Sequence, residues 1–115
     1  MGGKSERVSG TEKPLEDIAN GKTVELQIEI WSSWGYGGKK SQCETLIKAV
    51  AKEGYVVNYT IEPKHGVNGE FFVYKVDGEK KTVVFSNSEE HKDSATVDYS
   101  INKKNMDDIV KKITG

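Results

Sequence analysis

Ile28-Glu29-Ile30-Trp31-Ser32-Ser33-Trp34-Gly35-Tyr36 is the stretch where an apolar strand gives way to a loop and then a helix. Val24, Leu26, Ile28 and Ile30 alternate with Glu25, Gln27 and Glu29, so Thr23 to Trp31 reads as a strand with one buried and one wet face. A sheet covered on both sides would be apolar on both faces. The alternation therefore predicts helices on one side only. Gly35, Gly37 and Gly38 make the following loop permissive. Ser41-Gln42-Cys43-Glu44 then reads as a capping box. Cys43, Leu46, Ile47 and Val50 recur at helical spacing until Gly54 closes the helix.

Working outward, Tyr55 to Ile61 is rich in β-branched and aromatic residues and reads as a second strand. Strand, helix and strand in this order imply a right-handed parallel crossover. Pro63, Gly66 and Gly69 mark a loop. Glu70 to Val76 and Lys80 to Ser86 flank Asp77-Gly78, a strong hairpin signal. Asn87 to Asp98 is polar and irregular. A last helix starts at Asn102 or Asn105 and carries the stripe Met106, Ile109, Val110 and Ile113. Its Asp107 and Asp108 near the start and Lys111 and Lys112 near the end complement the helix dipole. The expected architecture is α/β: a two-layer sandwich, β-α-β-β-β-α, with both helices on one face of a mixed four-stranded sheet in the order 2-1-3-4. Residues 1 to 22, rich in Lys, Glu, Gly and Ser, read as a flexible charged tail before one domain over 23–115.

A chain of 115 residues fits one domain and can bury a core without disulfides or metal. The net charge of −1 gives no general pull toward nucleic acid or anionic lipid. One cysteine, Cys43, excludes an internal disulfide and a cysteine-rich zinc site. No apolar run approaches the ~20 residues needed to span a bilayer, and no signal core is present, so a cytoplasmic monomer is the expectation. Met1-Gly2 resembles a myristoylation start, but Glu6 stands where Ser or Thr is needed.

The strand-loop segment ending Gly35-Tyr36 resembles the active-site segment of the Rdx family, the selenoprotein W and selenoprotein T group with its thioredoxin-like fold. Gly69-Glu70-Phe71-Phe72-Val73, Asp77-Gly78 with Val83-Val84-Phe85-Ser86, and the helix Met106 to Ile113 extend the resemblance over residues 24 to 113. It implies a thioredoxin-like fold and a Cys-x-x-Cys or Cys-x-x-selenocysteine pair on this loop. Trp31 and Trp34 occupy those two positions. A thiol–disulfide enzyme needs a low-pKa thiolate and a second sulfur to resolve the mixed disulfide. Indole supplies neither, and Ser32 and Ser33 have no histidine nearby in sequence to activate them. The family's redox activity is therefore not expected here.

The leading expectation is a non-enzymatic protein-binding module that uses Trp31, Ser32, Ser33, Trp34, Gly35 and Tyr36 to contact an unidentified protein partner. The alternative for the indoles is that they fold down as caps on the sheet edge. A second hypothesis keeps oxidoreductase chemistry, through Cys43 or through Trp31 and Trp34 standing for decoded cysteine or selenocysteine. Cys43 on the apolar stripe reads as a buried thiol. Lys39 and Lys40 at a helix start beside three glycines could take an anion, or form a solvated pair. His65 and His91 lie in separate loops without clustered ligands, so neither a metal nor another cofactor is expected.

Overall fold

A computed structural model describes residues 7–31, 35–65 and 69–115. The elements are β1 (Val8–Glu12), β2 (Thr23–Trp31), α1 (Tyr36–Lys52), β3 (Val56–Lys64), β4 (Phe71–Asp77), β5 (Lys80–Ser86), a 3₁₀ turn (Glu89–His91), β6 (Thr96–Val97) and α2 (Met106–Thr114). They form an α+β domain with one mixed sheet of six strands in the order β1-β3-β2-β4-β5-β6. The four strands read from the sequence occupy the middle, and β1 and β6 flank them.

The alternation in β2 decides the layering. Val24, Leu26, Ile28 and Ile30 are buried, while Glu25, Gln27 and Glu29 are exposed or half-buried. The parallel register Val24↔Val57 and Ile28↔Ile61 carries the buried row into β3, and Ile28↔Val73 carries it into β4. Cys43, Leu46, Ile47 and Val50 of α1 and Ile109, Val110 and Ile113 of α2 complete this core, with Phe71 edge-on to Phe85 at 5.2 Å between centroids. Both helices thus lie on one face. The opposite face presents Glu25, Gln27, Glu29, Trp31, Phe72 and Tyr74, in rows set by Gln27↔Tyr74 and Glu29↔Phe72.

The structure corrects the sequence expectations at four places. First, residues 1 to 22 are not all tail. Val8–Glu12 pairs antiparallel with β3, Val8↔Ile61 to Glu12↔Val57, and Asn20 donates its backbone N–H to Gly54 O at 2.9 Å. The lone apolar Val8 hides this strand in the sequence; its partner is the otherwise unpaired edge of β3. Residues 1–6 lie outside the described residues. Second, the sheet has six strands where four are expected. Third, α1 begins at Tyr36, with Gly35 (φ +74°) at its N-cap and no side-chain cap among the described residues. Ser41 therefore lies inside the helix, where its carbonyl accepts a hydrogen bond from Thr45 Oγ1. Fourth, Pro63 belongs to β3 rather than to a loop, in register with Ile30. It stands beyond the last β1 pair, Val8↔Ile61, so its missing N–H breaks no bond to β1.

Candidate functional site

The candidate site is the junction between the end of β2 and the start of α1. Trp31 ends β2 on the helix-free face, in register with Lys64. Its backbone N–H donates to Glu70 O at 2.7 Å, and its indole Nε1 donates to Glu29 Oε1 at 3.2 Å. Lys64 Nζ lies 5.9 Å from the ring centroid, and Lys64 also pairs with Glu62 at 3.5 Å. The indole is half-buried and held in one orientation by charged neighbours. Ser32, Ser33 and Trp34 lie outside the described residues.

Tyr36 goes the other way. It opens α1 on the core side, and its hydroxyl is buried with no hydrogen-bond partner among the described residues. Burial raises its pKa, with smaller contributions from Cys43 and Glu44. The structure therefore separates Trp31 and Tyr36, which the sequence places in one contact loop. Cys43 lies two turns further on and is fully buried. Burial pushes its thiol far above the ordinary value, and the Glu44 carboxylate adds to the effect. A thiolate is disfavoured there, so Cys43 lacks both the exposure and the ionisation of a redox nucleophile.

Beside the junction lies an open cleft of about 460 Å³, lined by Gly35, Gly38, Lys39, Gln42, Gly69, Asn87, Tyr99 and Ser100. Lys40 is not among its walls. Asn87 fixes one wall, donating from Nδ2 to Gly69 O at 2.8 Å and accepting from Phe71 N at 3.0 Å. Gln42 fixes another by accepting the Ile101 N–H at 2.9 Å. Asp98 anchors the backbone of Tyr99 by accepting its N–H at 2.7 Å, and it also accepts from Asn102 and Asn105 at 3.2 and 2.9 Å. These bonds, the one from Asn102 foremost, hold the Asp98 carboxyl below its usual pKa. Tyr99 thus has a fixed backbone and a side chain 90% exposed. The sequence reading missed it, because solvent exposure leaves no periodic signature. The clue available was the dense run of backbone-bonding types around it, Asp98, Ser100 and Asn102.

The histidines stand apart from this cleft's walls. His65 is exposed at the end of β3. His91 packs edge-on against Phe72 at 5.2 Å, with Nδ1 3.0 Å from Ser86 Oγ. Ser86 is fully buried and also accepts the Ser88 N–H at 2.9 Å, so this Ser–His pair locks the chain after β5. Among the described residues, no group of three His, Cys, Asp or Glu side chains could hold a metal ion. No described helix is long and apolar enough to cross a membrane. No protein-family model, curated protein or solved structure matches the chain.

Proposed function

We propose that the chain is a thioredoxin-like binding module, akin in architecture to the Rdx group, which docks a protein partner at the β2–α1 junction without redox turnover. Parallel β2 and β3 joined through α1, with β4 and β5 continuing the sheet, support the thioredoxin-like reading. The observation that carries the function is Tyr99. A large aromatic ring on a fixed backbone stands in solvent at a cleft shared with Gly35, the residue that ends the loop. Rigid exposed aromatics bring large contact area at small entropic cost, as binding hot spots do. Lys39 adds a charged donor at the same rim. Nucleophilic chemistry through Cys43 is disfavoured by its burial and raised pKa.

The test is affinity capture followed by quantitative mass spectrometry, comparing the native chain with Tyr99→Ala and with a Trp31→Ser/Trp34→Ser variant, each checked for folding. The expected result is a partner retained by the native chain and lost from both variants. An unchanged partner set in both would move the functional surface elsewhere.

A further inference from the structure

A second surface lies at the β1 edge of the sheet. Among the described residues β1 pairs with β3 alone, which makes it the edge strand of the sheet. The opposite edge is blunted: β6 is two residues long and packs beside the 3₁₀ turn. β1 spans five residues and carries neither lysine nor proline, two of the devices that shield edges. Beyond it the chain turns across the end of α1 and leaves an apolar cleft of about 290 Å³, lined by Glu12, Lys13, Pro14, Leu15, Ile18, Lys48, Ala51 and Lys52. Leu15 is 73% exposed and Ile18 41% exposed. They are held there by Ile18 N–H to Leu15 O at 3.1 Å and Asn20 N–H to Gly54 O at 2.9 Å.

We infer that this edge and cleft bind an extended acidic peptide segment by strand addition to β1, with an aliphatic side chain seated against Leu15, Ile18 and Ala51. The open edge supplies main-chain pairing and the cleft supplies side-chain selection. Charge selects the partner: Lys13, Lys48 and Lys52 line the cleft against the single carboxylate of Glu12. Glu16 and Asp17, on the same turn, are not among the lining residues. The two ion pairs found among the described residues, Arg7–Glu62 and Lys64–Glu62, engage none of these lysines. A second copy of the chain fits worse. A two-fold pairing of β1 with itself about Gly10 sets Arg7 opposite Lys13 on both sides and gathers both lysine-lined clefts near one axis, where like charges repel.

The experiment selects random displayed peptides on the full chain and measures the enriched sequences as free peptides, by affinity and by amide shifts. The expected pool is rich in Asp and Glu around an aliphatic residue. Binding should move the amides of Val8–Glu12, Leu15 and Ile18, and should weaken about tenfold or more in Lys48→Glu/Lys52→Glu. Both lysines are exposed, so that variant keeps its fold. Leu15→Asp should weaken binding independently. A pool without acidic bias, shifts confined to the Tyr99 cleft, self-association through β1, or no enrichment over the lysine variant would each overturn the inference.

Discussion

Gln42 and Cys43 are neighbours in α1, and they face two different environments. Cys43 points into a sealed core with Leu46, Ile47 and Val50, where its thiol stays protonated. Gln42 faces the open cleft, where its side chain holds Ile101 and where Tyr99 stands in solvent. The sole cysteine therefore belongs to the scaffold, and the exposed aromatic belongs to the surface. At this junction the inward half is packed into the core and the outward half faces solvent.

The largest effect should come from damaging the inward half. Phe71→Ala removes a fully buried ring packed on Phe85 and should cost about 3–5 kcal/mol in urea unfolding, while Tyr99→Ala leaves the midpoint almost unchanged. Equal costs would erase the contrast. Gly54→Ala comes next. Gly54 has φ +102°, and an added Cβ would collide with the Ile18 carbonyl oxygen. The expected cost is roughly 1–3 kcal/mol, together with faster amide exchange at Asn20, which bonds to Gly54 O.

The third effect is a pH dependence. The folded state raises the Cys43 pKa, so this group's contribution is fully present below the unfolded thiol value of ~8.5 and is lost as pH rises above it. Above that point the unfolded state releases a proton that the folded state keeps. Stability should fall by up to about 1.4 kcal/mol per pH unit more steeply in the native chain than in Cys43→Ala. Parallel slopes would show an accessible thiol. A thiol reagent at neutral pH should likewise react with the folded chain only as fast as the chain opens. The smallest thermodynamic effect belongs to Tyr99→Ala, within about 0.5 kcal/mol of the native stability. A larger loss would give Tyr99 a structural role that its exposure does not suggest.

Periodicity made the inward half legible. Alternation along Val24 to Ile30 and helical spacing from Cys43 to Val50 state which side chains leave water, and burial follows them. Edges were harder to read. β1 has one apolar residue and β6 has two residues in all, so their pairing comes from a neighbour's free backbone rather than from a pattern of their own. The start of α1 was obscured because Gly35, Gly37 and Gly38 look like loop, yet the helix runs through the last two. The alternation placed Trp31 at the strand end, where it lies, but its grip by Glu29 and Lys64 depends on sheet register. Tyr99 was invisible because its position depends on the Asp98, Asn102 and Asn105 hydrogen bonds, a tertiary arrangement.

The most direct test of a binding junction with an inert thiol is one partner-affinity measurement made in parallel on Tyr99→Ala and Cys43→Ala. The partner is the one captured by the native chain, and both variants are first shown to be folded. Affinity should fall at least about tenfold in Tyr99→Ala and stay near the native value in Cys43→Ala. The reverse result, with binding lost through the thiol and kept without the exposed ring, would contradict the division of the junction into a structural and a binding half.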